Sequence, residues 1–162
     1  MRFAYVTANY ESYLRDFYAT NALLALEPLA TQEQALAYDS FGWNGCWAGP
    51  MSRLGYEARD FYFDNRLLDR AWRREQGGTG PETSTAIALQ RLADFAPDVV
   101  FFDHGDAALL RALKEWPKPP LVIGWEGGGL DRPQCWPDFD LILSCAPESV
   151  STAPAGILPR AG

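Results

Sequence analysis

The sequence predicts an α/β domain in which helices cover both faces of an open parallel sheet. Short apolar segments alternate along the chain with longer segments that carry apolar residues at helical spacing. Two of the short segments, 99–103 and 121–125, are apolar almost throughout, as in strands that are buried on both faces. The alternation supplies the helices that right-handed crossovers between parallel strands require.

Five strands are predicted. The first, Arg2–Ala8, is short and apolar and lies at the N-terminus, as in many doubly wound sheets. The second, 56–63, alternates in polarity and is rich in aromatic residues. The remaining three are mostly apolar runs at 99–103, which ends in an acid, at 121–125 and at 141–145.

Six helices are predicted between these strands, at 11–20, 31–38, 44–54, 67–75, 81–95 and 107–116. The Thr31-x-x-Gln34 pattern is typical of a capping box, which favours a helix start at Thr31. Gly55 is expected to end the third helix, although Pro50 interrupts its interior. Pro81 favours the first turn of the fifth helix.

The composition and charge of the chain limit the classes of protein to which it can belong. The chain has 162 residues, of which 48% are hydrophobic, so one domain with a full core is expected. Its formal net charge of -7 argues against nucleic-acid partners and against adhesion to an anionic membrane. No run approaches the ~18 apolar residues of a membrane span, and the N-terminus is apolar for too few residues to be a signal peptide.

The cysteines favour a reducing compartment. Cys46, Cys135 and Cys145 are odd in number and form no CxxC motif, which argues against a disulfide scaffold or a structural zinc site. We therefore interpret them as reduced thiols of a cytoplasmic protein. The domain is expected to span 1–148, and the Pro-, Ala-, Gly- and Ser-rich segment 149–162 is interpreted as a tail or truncated linker toward a second domain.

Polar residues follow four of the predicted strands. Because parallel strands present their carboxyl ends at one edge of a sheet, ligands gather there. The four segments are 8–10, 64–65, 103–106 and 125–129. We expect Asn9, Asn65, Asp103, His104 and Glu126 to converge on this edge.

Asp103 and His104 are the candidate catalytic residues. A carboxylate next to the only histidine of the chain can form a general-base system, because imidazole titrates near neutral pH. The alternative is that Asp106 caps the next helix and that His104 is a solvated loop residue. Without further ligands nearby in sequence, Asp103 and Asp106 do not predict a metal site.

Glu126, Gly127 and Gly128 are candidate ligand-binding residues. A glycine run lets backbone approach a ligand closely and offers unblocked N–H groups. The alternative is a flexible loop before Asp131. The run is not a GxGxxG motif and follows a late strand, so it does not predict a dinucleotide site.

Trp43, Asn65, Asn9 and Tyr10 complete the set of candidates. The turn 39–43 could shape a ligand pocket in which Trp43 stacks on a sugar face, or Trp43 could join Trp47 in packing two helices onto the sheet. Asn65 could bind a ligand hydroxyl or cap the helix that begins near Arg66. Asn9 and Tyr10 form the loop after the first strand.

The order and spacing of many residues over about 3–144 carry a family resemblance. They are Tyr13, Leu14, Phe17, Tyr18, Gln34, Ala35, Asp39, Phe41, Gly42, Trp43, Trp47, Leu54, Gly55, Tyr56, Glu57, Asn65, Leu68, Trp72, Glu75, Pro97, Asp98, Val99 and 140–144. This pattern resembles the N-terminal half of CgeB-like bacterial glycosyltransferases of the GT-B fold. The acidic triglycine at 126–129 departs from the family pattern.

The resemblance implies a Rossmann-like domain that is one half of a GT-B fold. It implies a hexosyltransferase-like enzyme in which this domain binds a small-molecule or glycan acceptor. The nucleotide sugar would be bound by a C-terminal domain missing from this chain, so the chain alone is expected to transfer no sugar. Neither a cofactor nor a metal is expected. The alternative is a non-catalytic Rossmann-like domain that binds a ligand or another protein.

Overall fold

The structure is a computed structural model that describes residues 1–103, 106–127 and 137–145. It confirms the predicted fold class, because five parallel strands form one sheet that helices flank. The strands are β1 (Arg2–Ala8), β2 (Glu57–Phe63), β3 (Val99–Phe102), β4 (Leu121–Glu126) and β5 (Leu141–Ser144). Their order across the sheet is β2-β1-β3-β4-β5.

Within the residues that the structure describes, six α-helices connect the strands. They are α1 (Glu11–Thr20), α2 (Leu29–Asp39), α3 (Ala48–Arg53), α4 (Arg66–Glu75), α5 (Ser84–Phe95) and α6 (Ala107–Lys114), with a short 3-10 helix at Ala22–Leu26. In the described ranges, none of these helices has the length and apolarity needed to cross a membrane.

The two faces of the sheet carry separate parts of the core. The connection from β1 to β2 crosses the sheet in the opposite direction from the connection between β2 and β3, so right-handed crossovers place their helices on opposite faces. On one face α5 and α6 cover a cluster that includes Ala4, Val6, Val100, Phe102 and Val122. On the other face Trp43, Trp47 and Met51 pack against Phe3, Tyr5, Val99 and Phe101.

A third cluster joins the helices beside β2. It contains buried residues of α1, α2, α4 and α5 together with one residue of β2: Phe17, Tyr18, Leu29, Leu36, Tyr62, Leu68, Ala71, Trp72 and Ile87. Helices α1 and α4 begin shortly after β1 and β2 end, so their N-terminal ends lie at the carboxyl edge of the sheet, where candidate site residues lie.

The predicted capping box at Thr31 is wrong. Helix α2 begins two residues earlier, at Leu29, directly after Pro28. The Leu29 backbone N–H donates a 2.7 Å hydrogen bond to the Glu75 side chain at the end of α4. The helix N-terminus is therefore capped by a residue distant in sequence, a contact that local spacing does not reveal.

The predicted helix 44–54 is shorter than expected. Only Ala48–Arg53 is helical, and the preceding residues form turns with positive φ at Gly42 and Gly45. This late start places Pro50 in the first helical turn, where its missing N–H costs nothing. The predicted start of α5 at Pro81 is also early, since the Thr83 side chain caps a helix that begins at Ser84.

Candidate functional site

A cavity lies at the point where the strand order reverses. Strand β1 has β2 on one side and β3 on the other, and the connections that follow β1 and β3 leave in opposite directions, which opens a crevice at their carboxyl ends. The crevice contains a cavity of about 350 Å³, which we call the switch-point cavity. It is lined by Thr7, Ala8, Asn9, Tyr10, Phe41, Gly42, Trp43, Asp64, Asp103 and Trp125.

Asp103 lies in this cavity and joins β3 to β1. Its Oδ2 accepts a 2.7 Å hydrogen bond from the Thr7 hydroxyl and a second hydrogen bond from the Tyr5 hydroxyl. Tyr5 and Thr7 share one face of β1 because side chains alternate along a strand. Burial, and next the charge of Asp103, raise the pKa of Tyr5 far above its usual value, so Tyr5 stays a donor.

Two amides fix the loop that follows β1. The Asn9 Nδ2 donates to Asn44 Oδ1 at 3.0 Å, and the Asn44 Nδ2 donates to Asn9 Oδ1 at 3.3 Å. Asn44 is fully buried, so the pair anchors the turn at 42–47 to the end of β1. Asn9 therefore lines the cavity in an orientation that a second amide determines.

Indole rings form one wall of the cavity. The Trp43 ring lies 5.2 Å from the Trp125 ring, with 58° between their planes. Trp43 also stacks on Phe101 at 6.3 Å and meets Trp47 edge-on at 5.8 Å. Trp43 thus lines the cavity and also packs its turn onto the sheet, so the two roles considered for it are compatible.

Phe41 is supported from outside the cavity. Its ring stacks on Tyr13 at a centroid distance of 3.9 Å with an 11° interplanar angle, and the Tyr13 hydroxyl donates to Asp39 at 2.7 Å. Tyr10, which is 74% exposed, meets Phe41 edge-on. The predicted binding residue Tyr10 therefore lies at the cavity rim.

Asn65 caps a helix. Its Oδ1 accepts from the backbone N–H groups of Leu67 at 3.1 Å and Leu68 at 3.3 Å, at the start of α4. The structure thus shows the capping role that was the alternative to ligand binding. Asp106 likewise caps α6, since its side chain accepts from Leu109 at 2.7 Å.

Asn65 lines a second cavity next to the first. This α1–α4 cavity has a volume of about 550 Å³ and shares Asn9 and Asp64 with the switch-point cavity. Its lining residues are Asn9, Glu11, Leu14, Arg15, Tyr18, Ala19, Asp64, Asn65, Arg66 and Leu67. Asp64, directly after β2, has a left-handed backbone conformation with φ of +53°.

At the end of β4, the residue that lines the switch-point cavity is Trp125, and not the predicted Glu126 or Gly127. A Cβ atom on Gly127 would lie 2.7 Å from the Trp125 Nε1, so glycine is required there for the indole to approach the backbone. The predicted site residues His104 and Gly128 lie outside the described residues.

The sequence did not predict three residues of the site: Tyr5, Thr7 and Asn44. Strand register and the turn at 42–47 bring them there. Asp64, Trp125 and Phe41, which line the cavity, belong to the predicted segments 64–65 and 125–129 and to the turn 39–43. The alternation of β1 could have identified Tyr5 and Thr7 as residues on one face, but their shared carboxylate partner is set by pairing with β3.

Within the ranges 1–103, 106–127 and 137–145, the structure contains no cluster of three or more His, Cys, Asp or Glu side chains that could hold a metal ion.

The chain was compared with protein-family models, with curated proteins and with solved structures, and none of them matches it.

Proposed function

We propose that the switch-point cavity binds a saccharide, and that the chain is the acceptor-binding domain of a GT-B glycosyltransferase. One observation carries this proposal: the indoles of Trp43 and Trp125 line the same cavity as the carboxylates of Asp64 and Asp103 and the amide of Asn9. The family resemblance of the sequence supports the enzyme class.

Sugar chemistry fits this lining. A pyranose has an apolar C–H face, which packs on an aromatic ring, and a hydroxyl edge, which carboxylates and amides bind. The cavity volume of about 350 Å³ is at the lower end of the range for small-molecule sites, which suits one sugar unit.

In the proposed reaction the acceptor hydroxyl oxygen attacks the anomeric carbon of a nucleotide sugar bound by the second domain. A C–O bond forms, and the bond from that carbon to the phosphate oxygen breaks. The nucleoside diphosphate leaves with the electron pair, and the hydroxyl proton passes to a general base. Asp103 lines the cavity and is the candidate for this base; His104, outside the described residues, is the second candidate.

A non-catalytic binding domain is the second candidate function, and one contact favours it. Asp103 Oδ2 already accepts hydrogen bonds from Tyr5 and Thr7, which join β1 to β3. A carboxylate with this structural task can accept a hydrogen bond from a ligand hydroxyl without taking its proton. In that case the same cavity binds a saccharide but no transfer follows.

Calorimetric titration with glucose, galactose, mannose and N-acetylglucosamine tests saccharide binding. Trp43→Leu retains an apolar side chain toward Trp47 and Phe101 but removes the ring, so we expect about tenfold weaker binding. Trp116→Leu is the matched control, because Trp116 packs against the opposite face of the sheet. Equal binding by both variants, or no binding by the wild type, would contradict the proposal.

Catalysis is tested separately. In a full-length protein that contains a donor domain, Asp103→Asn should lower kcat by about 10²-fold or more if Asp103 is the base. Unchanged kcat would assign Asp103 to binding and structure only and would favour the non-catalytic role for this residue.

A further inference from the structure

We propose that the saccharide bound at the switch-point cavity extends into the α1–α4 cavity, so that the ligand contains at least two sugar units. This inference rests on the proposed function and specifies its substrate class. The first unit would lie against Trp43 and Trp125, and the second between α1 and α4.

The two cavities adjoin each other. Asn9, after β1, and Asp64, after β2, line both of them, so the boundary between the cavities consists of these neighbouring strand ends. The α1–α4 cavity, at about 550 Å³, is larger than the switch-point cavity. A ligand that fills the first cavity and continues past Asn9 and Asp64 therefore enters a space large enough for another unit.

The α1–α4 cavity has an amphipathic lining. Leu14, Tyr18 and Leu67 are buried or half-buried and provide apolar surface. The exposed part of its lining carries two acidic and two basic side chains: Glu11, Asp64, Arg15 and Arg66. These formal charges cancel, so the lining does not select an ion. Hydroxyl groups both donate and accept hydrogen bonds, and they complement carboxylates and guanidinium groups alike.

Asn65 adds a donor to the floor of this cavity. Its side chain is 2% exposed, and its Oδ1 is held by the two capping hydrogen bonds from α4. The Nδ2 is buried and makes no hydrogen bond within the part of the chain that the structure describes. Burial raises the pKa of Tyr18 to about 12, and the neighbouring Asn65 amide offsets part of that rise. The Tyr18 hydroxyl stays protonated and donates to Gln32 Oε1 at 3.0 Å, so the donor that this floor offers is the Asn65 Nδ2.

Asp64 marks the boundary with a backbone conformation that is unfavourable for most side chains. Its φ of +53° lies in the left-handed region, which aspartate tolerates better than most residues but still at an energetic cost. That conformation places an acceptor side chain where the two cavities meet. A ligand that bridges both cavities would use this carboxylate between its two units.

Calorimetric titration tests the extension by comparing each monosaccharide with a disaccharide that contains it. The pairs are glucose with maltose, galactose with lactose, and N-acetylglucosamine with chitobiose. We expect at least one disaccharide to bind about tenfold more tightly than its component monosaccharide, because the second unit adds hydrogen bonds and apolar contact. Ala19→Trp, which fills the α1–α4 cavity from α1, should remove this advantage and leave monosaccharide affinity unchanged. Ser12→Trp is the control, since Ser12 is exposed on α1 and lies outside that lining.

Nuclear magnetic resonance titration of the wild-type chain provides an answer that depends on no variant. A disaccharide should shift the amide signals of Ala19 and Leu67 as well as that of Gly42, whereas the monosaccharide should shift only Gly42. Monosaccharide binding with no disaccharide advantage and no shift at Ala19 or Leu67 would overturn the extension and leave the proposed function intact. Failure of every sugar to bind would overturn both.

Discussion

The Thr7 hydroxyl donates a 2.7 Å hydrogen bond to Asp103 Oδ2, which connects the carboxyl ends of β1 and β3 where the strand order reverses. Tyr5, on the same face of β1, donates to the same oxygen. The candidate site is therefore built on two rigid neighbouring strands, and its carboxylate is part of the structure that holds those strands together.

This relationship predicts coupled stability effects. Asp103→Ala leaves the buried Tyr5 hydroxyl without its acceptor and should lower the free energy of unfolding by about 1–3 kcal/mol. In a Tyr5→Phe background that hydroxyl is absent, so Asp103→Ala should cost less. Urea unfolding of the four proteins in this double-mutant cycle measures the difference; strictly additive effects would show that the hydrogen bond contributes no stability.

Asp60 predicts a pH dependence of stability. Burial raises its pKa from the usual 3.8 to about 6, although the Ala48 N–H donates to it at 3.2 Å. The folded state therefore holds the Asp60 proton more tightly than the unfolded state. Relative to its ionised form, protonated Asp60 therefore stabilises the folded state below about pH 4. This stabilisation, about 3 kcal/mol, is lost as pH rises from about 4 to 6 and is absent above pH 6.

Asp60→Asn removes this dependence and retains an acceptor for Ala48. We expect the variant to be more stable than the wild type at pH 7.5, with the gain disappearing near pH 4. Urea unfolding at both pH values measures this difference in stability. Asp94→Asn, at an exposed position on α5, serves as the control. A variant that is equally destabilised at both pH values would show that the ionised Asp60 is well accommodated.

The ion pair between Glu33 and Arg91 should be important for stability. Arg91, which is 6% exposed, binds Glu33 of α2 and lies over the Phe61 ring at 5.4 Å. Glu33→Ala leaves this buried guanidinium without its carboxylate and should cost about 3–5 kcal/mol in unfolding free energy. Glu57→Ala breaks the exposed Arg2–Glu57 pair and should cost less than about 1 kcal/mol. Similar losses for the two variants would refute the distinction.

Gly45 and Gly42 form a matched pair in the turn beside the cavity. Both have positive φ, but a Cβ on Gly45 would lie 2.5 Å from the Ala37 carbonyl oxygen, whereas one on Gly42 meets nothing within 4 Å. Gly45→Ala should therefore lower thermal stability by about 1–3 kcal/mol more than Gly42→Ala. Calorimetric unfolding checks this, and equal effects would mean that the turn relaxes around the added methyl.

The sequence predicted the sheet because its strands are recognisable locally. Val99–Phe102 is fully buried, and its uninterrupted apolar run is typical of an interior parallel strand. Helix starts were less predictable. The cap of α2 comes from Glu75, which is 46 residues away, so the local Thr31 pattern pointed to the wrong residue.

The site was predictable in part for the same reason. Asn9 and Asp103 directly follow strands, so strand prediction placed them at the carboxyl edge of the sheet. Phe41 reaches the cavity, and Asn44 reaches Asn9, through a turn whose path depends on Gly42 and Gly45, and no local periodicity encodes that path.

Indole signals in a nuclear magnetic resonance titration give the most direct test of saccharide binding at the switch-point cavity. As saccharide is added up to saturation, we predict that the Nε1–H signals of Trp43 and Trp125 shift and give the same dissociation constant. The Nε1–H signal of Trp116 should stay in place. Unmoved Trp43 and Trp125 signals across the whole saccharide panel, or equal shifts at Trp116, would contradict a saccharide site at this cavity.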